Sequence, residues 1–437
     1  LYKYPLFMLQ KSIAKLRFGL IDMLGNLSIQ KVFAEMQIQQ FESCSDLEKR
    51  QLEKLNALIK TASEQTVFYR GLKEYVDFDV LNKEIIRANY NDFKAETFKD
   101  KLYTKATGGS TGKPLVYLTT SLSRSYMWAG IMLSWSVAGY ELGDKVAFIA
   151  GSALIDASGT YKRKLFYALF NIKIYSAFSL DEAYLASYIH SIKQEKIRII
   201  YGYASAIDKI AHYIRNNGDS DFPLLKGIIC TSEVLTPQMR KNIEAAFKVK
   251  VFNQYGCNEA GVSAFECEHK QMHLINTRCY QDVDKDGSLR STDLTNEGYI
   301  LLKYETGDYV KMSAQRSCEC KRGFPIIEQV VGRKMDLVID KEHHILHGSF
   351  FYYLFRNDSS IQQYQISFDK NNIYLYLNVD ESIHPAGYYN RYLEIVKQYL
   401  HFDAYYLKLN TGFLLAKNAK HLHVVNLDIQ TPAPSGV

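Results

Sequence analysis

The chain has 437 residues, of which 47% are hydrophobic and 23% are charged, and its formal net charge is +6. This length exceeds one ordinary core and predicts at least two domains, while the composition is that of a globular protein. A charge of +6 over so large a surface does not indicate nucleic-acid binding, which prefers a concentrated basic stripe, and no apolar run approaches the roughly 20 residues of a membrane-spanning helix.

The first hundred residues contain charged and apolar stretches, such as residues 46–61, that predict helices. At the start, Lys3, Lys11, Lys15 and Arg17 stand among apolar residues. This segment is either a basic amphipathic helix that touches a membrane or a helix packed on the main domain, and we favour packing. It has no signal-peptide cleavage pattern, and the seven cysteines are an odd number, so we expect a cytoplasmic protein without a disulfide framework.

From residue 101 onward, β-branched and aromatic runs alternate with helical patterns, which predicts an α/β core over residues 101–265. Its clearest unit is a strand over residues 226–230, a helix capped by Thr236 with Pro237 at its first position, and a strand over residues 249–252. Loops that follow such strands lie at the carboxyl edge of a parallel sheet, where α/β proteins bind ligands.

After this core the pattern changes to shorter strands and turns, which predicts a β-rich subdomain over residues 266–335. Residues 336–437 have the pattern of a small α+β domain, and residues 1–100 form the helical start of the chain. The predicted architecture is therefore α/β with a β-rich subdomain. It comprises a large N-terminal domain over residues 1–335 and a small C-terminal domain.

A glycine-rich segment is the first candidate for a phosphate-binding loop. Its small residues let backbone N–H groups turn toward a phosphate, and Lys113 adds a positive charge. A Walker A loop would need glycine at the first position and Ser or Thr after the lysine, where this chain has Thr107 and Pro114. An ordinary surface loop is the other interpretation. The candidate residues are Thr107, Gly108, Gly109, Ser110, Thr111, Gly112 and Lys113.

Further short motifs follow this loop in the order found in the adenylate-forming superfamily, which the chain resembles from about residue 102 to its end. The resemblance implies an acyl-CoA-synthetase-like large domain and a mobile small domain. Each motif is weak alone, but their common order makes the match specific. In chain order they are Ser232-Glu233-Val234, Tyr255-Gly256-Cys257-Asn258-Glu259, Thr306-Gly307-Asp308 and Gly332-Arg333-x-x-Asp336.

The resemblance implies a nucleotide-binding role for each of these motifs. The Ser232–Val234 segment lines the adenine, Tyr255 stacks on it, and Asp308 binds the ribose hydroxyls. Glu259 holds Mg²⁺, a role that suits the hard oxygen atoms of a carboxylate. Asn258 stands where the family has Thr or Ser, and its amide can still donate a hydrogen bond to a phosphate oxygen.

The last two functional positions implied by the resemblance lie at the domain boundary and near the C-terminus. Arg333 belongs to the boundary motif, in which Asp336 is the hinge between the two domains. Residues 419–425 resemble the ending that carries the catalytic lysine, which places that lysine at Lys420. Ala419 replaces the glycine of the family, and Lys417 is the alternative catalytic lysine.

A second set of residues has the composition of a tetrahedral zinc site, because it combines three thiols with one imidazole. The phenylacetate–CoA ligase branch of the superfamily carries a similar pattern, and this resemblance implies a structural Zn²⁺. Lys321 stands where the branch generally has Gly, His269 is the alternative ligand, and unrelated buried thiols are the other interpretation. The predicted ligands are Cys267, His273, Cys318 and Cys320.

Residues 282–293 begin like the calcium loop of an EF-hand. However, Arg290 occupies a ligand position, and Asp293 stands where the loop needs a bidentate Glu. We therefore interpret the segment as a polar turn. We expect a hairpin over residues 294–303.

Within the family, the chain most resembles the CapK-like members, which are associated with polysaccharide biosynthesis. The resemblance implies that the protein uses ATP and Mg²⁺ to convert a small carboxylic acid into an acyl-adenylate and then passes the acyl group to CoA. Mg²⁺, a lysine and backbone N–H groups can stabilise the negative charge of such a transition state. The alternatives are transfer to an amine or a carrier protein, and a catalytically inactive nucleotide-binding homologue. Lys113, Glu259 and Asp308 argue against the inactive homologue.

The sequence does not reveal the acid, and it leaves open whether the protein is a homodimer. Aromatic residues such as Trp128 and Trp135 could line the acid pocket. We interpret them as core residues, because large aromatic side chains more often fill protein interiors.

Overall fold

The structure is a computed structural model that describes residues 3–107, 115–150, 161–177, 180–218, 221–333, 337–342, 344–355, 358–414 and 422–428. Several predicted site residues fall outside these ranges, and their roles stay predictions. They are Gly108, Gly109, Ser110, Thr111, Gly112, Lys113, Asp336, Lys417 and Lys420.

Helices dominate the first hundred residues, as predicted. They are α1 (Lys3–Gly25), α2 (Ile29–Gln39), α3 (Cys44–Gln65) and α4 (Lys83–Ala88). Phe18 and Ile21 of α1 are 1% exposed and belong to the main hydrophobic core, so the interpretation of α1 as a packed helix is confirmed. None of the helices in the described ranges is long and apolar enough to cross a membrane.

An eleven-stranded sheet forms the centre of the described large domain. Five neighbouring strands run parallel and carry helices between them, which is the predicted α/β core. The elements are α5 (Ser121–Val137), β3 (Val146–Ala150), α6 (Tyr161–Phe170), β4 (Ile172–Ser176), α7 (Glu182–Gln194), β5 (Ile199–Tyr203), α8 (Ala204–Asn217), β6 (Gly227–Thr231), α9 (Pro237–Phe247) and β7 (Val251–Cys257).

Helix α9 and the strand after it form as predicted, but the strand differs from the prediction in its bounds. Thr236 accepts a hydrogen bond from the backbone N–H of Met239, and Pro237 occupies the first helical position. However, β7 begins two residues later than predicted and continues to Cys257. The reason is pairing, because its second half forms an antiparallel ladder with the next strand, in which Cys257 faces Val262.

The remaining six strands of the sheet are antiparallel and form the β-rich part. They are β8 (Val262–Glu266), β9 (Met272–Leu274), β10 (Cys279–Val283), β11 (Ser288–Asp293), β12 (Tyr304–Met312) and β13 (Ile326–Arg333). Their order in the sheet is β10-β11-β12-β13-β9-β8, and β8 joins β7. A separate hairpin of β1 (Tyr103–Ala106) and β2 (Val116–Thr119) precedes the core.

The EF-hand-like segment is a hairpin turn, which confirms its interpretation as a polar turn. Arg290 forms ion pairs with Asp282 at 3.4 Å and with Asp284 at 2.9 Å, so a basic side chain of the segment itself binds two of its carboxylates. The predicted hairpin over residues 294–303 was wrong. The hairpin is formed by β10 and β11, and residues 294–303 are turns, because β11 pairs with both of its neighbours before the chain reaches them.

The C-terminal part has its own sheets and its own hydrophobic core, formed by residues between Val338 and Val424. Two strands form one small sheet, and four strands in the order β18-β17-β16-β19 form another. The elements are β14 (Leu337–Ile339), β15 (Ile345–His347), α10 (Ser349–Phe355), β16 (Ile361–Phe368), β17 (Asn372–Val379), α11 (Asn390–Val396), β18 (Ala404–Leu409) and β19 (Val424–Asn426). This is the α+β composition expected of the small domain.

Candidate nucleotide site and candidate metal centre

Two residues with predicted nucleotide contacts meet although they are far apart in sequence. The Tyr255 hydroxyl donates a hydrogen bond of 2.7 Å to Oδ2 of Asp308, 53 residues away. Tyr255 lies on β7 and Asp308 on β12, which three other strands separate in the sheet. Shifts of register between β12 and β13 indicate bulges, and bulges bend a sheet. The sheet therefore curves enough to bring the two side chains together.

Glu259 lies beside this pair in a short 3-10 helix, Asn258–Ala260, directly after β7. Glu259 and Asp308 both lie within electrostatic range of Tyr304. Burial raises the pKa of Tyr304 far above its usual range, and the carboxylates raise it further. Tyr117 has a pKa raised by burial and by Glu259. The predicted magnesium ligand and the predicted ribose ligand therefore both lie within electrostatic range of the same buried tyrosine.

The predicted adenine segment occupies the loop that follows β6. Ser232 has φ of 68°, a left-handed conformation that turns the chain sharply after the strand. The Glu233 carboxylate accepts a hydrogen bond of 2.9 Å from the backbone N–H of Ser205, in the first turn of α8. A carboxylate at a helix N-terminus is stabilised by the helix dipole. The Glu233 side chain thus anchors the loop, and the half-exposed Val234 lies next to it.

Thr107, the first residue of the glycine-rich segment, directly follows β1, and the described chain resumes at Leu115, directly before β2. The backbone N–H of Thr107 donates to the carbonyl oxygen of Leu115 at 2.9 Å, and the N–H of Leu115 donates to the Thr107 hydroxyl at 3.0 Å. These two bonds join Thr107 to Leu115.

In the antiparallel part of the large sheet, Asp308 is the register partner of Arg333 in the β12–β13 ladder.

The structure therefore gathers the predicted Tyr255, Glu259 and Asp308, whereas Lys113 and Lys420 lie outside the described residues. It also places Arg278, which the sequence analysis did not single out, within electrostatic range of Tyr117 together with Glu259. Arg278 is buried, follows a short strand and carries no recognisable pattern, so no local signal could have indicated it.

The four predicted metal ligands converge at one place in the β-rich part. The Cys267 and Cys318 sulfurs are 3.7 Å apart, and the Cys320 sulfur is 3.3 Å from Nε2 of His273. Tetrahedral zinc, with Zn–S of ~2.3 Å and Zn–N of ~2.0 Å, requires separations of about 3.8 and 3.5 Å. All four ligand atoms lie within 4.8 Å of one another. The side chains therefore stand near the spacing that a zinc ion needs.

Hydrogen bonds and burial prepare the histidine of this cluster for coordination. Nδ1 of His273 lies 3.1 Å from the carbonyl oxygen of Phe324, and a carbonyl can only accept, so Nδ1 carries the proton. This leaves Nε2 directed at the sulfurs with its lone pair available. Burial lowers the pKa of His273 and favours the neutral imidazole, which is the form that binds metals.

Burial makes Cys267 and Cys318 unfavourable as anions, because it raises the pKa of both thiols. Burial, with a smaller contribution from nearby Cys320, raises the pKa of Cys267 to about 12. A bound metal ion reverses this preference, because it stabilises the thiolates that coordinate it. The backbone N–H of His269 donates to the Cys267 sulfur at 3.4 Å.

The geometry favours His273 over His269 as the ligand. The His269 ring is directed away from the cluster, with Nδ1 3.2 Å from the Glu319 carboxylate, and is 40% exposed. Lys321, the departure from the family pattern, has φ of 63°. This left-handed conformation favours glycine, which explains the family preference at this position.

A second group of ligand-type atoms lies in the C-terminal part, where atoms of Asp340, His344 and His401 approach within 4.8 Å. Hydrogen bonds account for this arrangement. Oδ1 of Asp340 accepts the backbone N–H groups of Glu342 and His344, and Oδ2 accepts the backbone N–H of His401. Asp340 thus ties the β14–β15 turn to the segment before β18.

Comparison with known proteins finds chains that are similar to most of this chain in sequence or in structure. No family model matches the chain. The chain is 28% identical to Protein CapK of Staphylococcus aureus over 324 residues, which are 71% of this chain and 70% of CapK. Among solved structures, 2-hydroxyisobutyryl-CoA ligase in the postadenylation state with R3-HIB-AMP gives a TM-score of 0.68 at 16% identity, covering 89% of this chain and 91% of the ligase.

The same ligase in an open conformation with 2-HIB-AMP and CoA gives a TM-score of 0.55 at 16% identity, covering 89% of this chain and 93% of the ligase. At this identity, the likeness establishes the fold. The chain is thus similar in sequence to CapK and has the fold of 2-hydroxyisobutyryl-CoA ligase.

Proposed function

We propose that the protein is an ATP-dependent ligase that converts a small carboxylic acid into an acyl-adenylate and then transfers the acyl group to CoA. The observation that carries this proposal is the hydrogen bond between Tyr255 and Asp308 beside Glu259. This contact supports the proposal because it joins the residue predicted to stack on adenine to the residue predicted to bind ribose, near the carboxyl end of β7, where α/β proteins bind ligands.

In the first half-reaction, a carboxylate oxygen of the acid attacks the α-phosphorus of ATP, and the bond to the β-phosphate oxygen breaks as pyrophosphate leaves. The Glu259 carboxylate would bind Mg²⁺, which neutralises phosphate charge when it is present. Asp308 would accept hydrogen bonds from the ribose hydroxyls, and the Tyr255 ring would stack on the adenine. In the second half-reaction, the CoA thiolate attacks the acyl carbon and AMP leaves.

We also propose that Cys267, His273, Cys318 and Cys320 hold a structural Zn²⁺. The support is the near-tetrahedral spacing of the ligand atoms and the carbonyl contact that fixes the His273 tautomer. With four protein ligands such an ion has no open position, so it would stabilise the β-rich part rather than take part in the reaction. ATP and CoA are both cytoplasmic compounds, which agrees with the predicted location.

The test is acid-dependent exchange of labelled pyrophosphate into ATP, measured with a panel of carboxylic acids. We expect exchange with at least one acid, and formation of a thioester when CoA is added. Exchange without thioester formation would indicate an amine or a carrier protein as the acceptor. Binding of ATP without exchange for any acid would support the inactive homologue and contradict the proposal.

A further inference from the structure

We propose that Asp293 is a positioning residue for Glu259, because it holds the turn that carries the proposed magnesium ligand in a fixed place against helix α5. The inference rests on the proposed function, which gives Glu259 the role of binding Mg²⁺ with the phosphates of ATP. Magnesium-dependent binding of ATP can nevertheless be measured without catalysis. Asp293 is also the last acidic residue of the segment that begins like a calcium loop.

The Asp293 carboxylate, at the end of β11, is held by hydrogen bonds inside the protein. Asp293 is only 7% exposed. Its Oδ1 accepts the backbone N–H of Thr295 at 2.9 Å and the Thr295 hydroxyl at 2.5 Å, and its Oδ2 accepts the Ser123 hydroxyl at 2.7 Å. Among the described residues, no cation forms an ion pair with it. Three neutral donors therefore satisfy the buried charge and fix the orientation of the side chain.

The Ser123 contact connects Asp293 to the start of α5. Thr120 caps this helix, since its hydroxyl oxygen accepts the backbone N–H of Ser123 at 3.1 Å. The same hydroxyl donates to the carbonyl oxygen of Thr295 at 3.1 Å. Thr120 and Ser123 are both buried. Two buried side chains at the start of α5 thus hold the turn that follows β11.

Asn296 extends these contacts to the strand before α5. Its side-chain oxygen accepts the backbone N–H of Thr120 at 2.9 Å, and its side-chain N–H₂ donates to the carbonyl oxygen of Leu118, on β2, at 3.0 Å. Asn296 is buried, and a buried polar network whose members are satisfied is rigid. Residues 293–296, the end of β2 and the start of α5 therefore form one rigid unit.

On its other side, Asp293 contacts the turn that carries Glu259. Gly261 directly follows the 3-10 helix Asn258–Ala260 and has φ of 69°, a conformation that favours glycine. A Cβ built on Gly261 would lie 2.7 Å from Cβ of Asp293 and 2.8 Å from its Cγ, so any larger residue would collide. The turn is therefore packed directly against the Asp293 side chain.

Strand β11 holds this turn at a second point. The Ser291 hydroxyl donates to the carbonyl oxygen of Ala260 at 2.8 Å, and both residues are buried. Ala260 is next to Glu259 in the chain, so this bond fixes the backbone beside the proposed ligand. Tyr117 lies within electrostatic range of both Glu259 and Asp293, which places the two carboxylates near one buried side chain.

The competing interpretation is that Asp293 itself binds the magnesium ion, since it is a carboxylate near Glu259. A ligand oxygen must face the ion, whereas both Asp293 oxygens already accept donors from the protein. Asp293→Asn separates the two roles. The amide oxygen can accept both Thr295 donors, and the amide N–H₂ can donate to the Ser123 hydroxyl. Positioning is then retained, while the negative charge of a ligand is lost.

The experiment measures ATP binding by calorimetry at increasing Mg²⁺ concentration, with AMP binding in the absence of Mg²⁺ as the control for a folded nucleotide site. Asp293→Ala should raise the Mg²⁺ concentration for half-maximal ATP binding about 10-fold, because residues that orient a metal ligand typically contribute this much to metal affinity. AMP binding should stay unchanged, since it does not use the ion. Asp293→Asn should behave like the wild type.

Two further variants test the contacts on either side of Asp293. Gly261→Ala should raise the Mg²⁺ requirement about 10-fold, whereas Gly218→Ala, at a similar φ of 70° but with open space around its Cβ, should not. Ser123→Ala should raise it about 3-fold, the effect of one hydrogen bond. Ser134→Ala, which removes a buried hydroxyl that donates within α5, is the matched control. If Asp293→Ala does not fold, Gly261→Ala and Ser123→Ala decide by the same criteria.

The possible results separate this inference from the proposed function. A raised Mg²⁺ requirement in Asp293→Ala, with a wild type that exchanges no pyrophosphate for any acid, would reject the proposed function and retain the inference. An unchanged requirement in Asp293→Ala, when Glu259→Ala raises it, would overturn the inference and leave the proposed function intact.

Three other results would overturn the positioning role. Equal loss of ATP and AMP binding in Asp293→Ala would assign Asp293 to folding alone. A loss in Asp293→Asn as large as in Asp293→Ala would assign the carboxylate to the ion. Wild-type ATP binding that does not depend on Mg²⁺ would leave Glu259 without an ion to hold.

Discussion

The cysteine–histidine cluster and the candidate nucleotide site differ in how deeply their side chains are buried. Cys267 and His273 are fully buried, and the four ligand atoms already converge. Tyr255 and Glu259 are only half-buried at the end of a strand, and further predicted members of their site lie on other segments. A structural ion stays bound, so its ligands can be enclosed, whereas a nucleotide must enter and leave. The proposed zinc ligands are on the whole more enclosed than Tyr255 and Glu259, although Cys318 is half-buried and Asp308 is 6% exposed.

The largest effect should come from removing two zinc ligands. Cys318→Ser/Cys320→Ser should lose the metal. Its free energy of unfolding should fall by on the order of 5 kcal/mol, because buried polar groups are left without their ion. Metal analysis and denaturant unfolding measure the two quantities. Cys44→Ser, at a half-buried cysteine outside the cluster, should keep both. A wild-type protein that contains no zinc after expression with zinc would contradict the proposed zinc site.

Glu259→Ala should lower acid-dependent pyrophosphate exchange by about 100-fold to 1,000-fold, which corresponds to roughly 3–4 kcal/mol of transition-state stabilisation. The reason is the loss of the carboxylate that holds Mg²⁺. The unfolding free energy should change little, because Glu259 is half-buried. Glu328→Gln, at an exposed carboxylate of β13, is the control. Exchange near the wild-type level in Glu259→Ala would contradict the assignment of this loop.

Lys420→Ala should lower kcat for acyl-adenylate formation by about 100-fold while raising the KM for ATP less, because the ammonium stabilises charge that exists only in the transition state. Supplied with synthetic acyl-adenylate, this variant should still transfer the acyl group to CoA. Lys417→Ala should behave like the wild type in both assays. The reverse pattern would assign the catalytic role to Lys417.

Tyr255→Phe should have the smallest effect on activity among these variants. It removes the hydroxyl that binds Asp308 and keeps the ring that is predicted to stack on adenine, so the KM for ATP should rise about 5-fold, consistent with one hydrogen bond of ~1 kcal/mol. Asp308→Ala should raise the KM more, because it would also remove the predicted ribose contacts. An unchanged KM in both variants would show that the Tyr255–Asp308 contact does not belong to the nucleotide site.

Secondary structure was predicted correctly where it depends on neighbouring residues in the chain. Thr236 and Pro237 predicted the start of α9, and the interrupted calcium pattern predicted a polar turn, in which Arg290 binds two carboxylates. The sequence analysis was wrong about the hairpin over residues 294–303 and about the length of β7. Both errors concern strand pairing, which depends on partners far away in the chain.

The sequence by itself determined the identity and order of the chemical groups, because short motifs record which side chains a reaction or a metal needs. It also determined the class of fold, because the periodicity of apolar residues sets the local elements. Only the tertiary structure decided which groups meet. The contact of Tyr255 with Asp308, the choice of His273 over His269, and the burial of Arg278 all depend on how distant strands curve and pack. No local pattern encodes such distances, since they arise from the sheet as a whole.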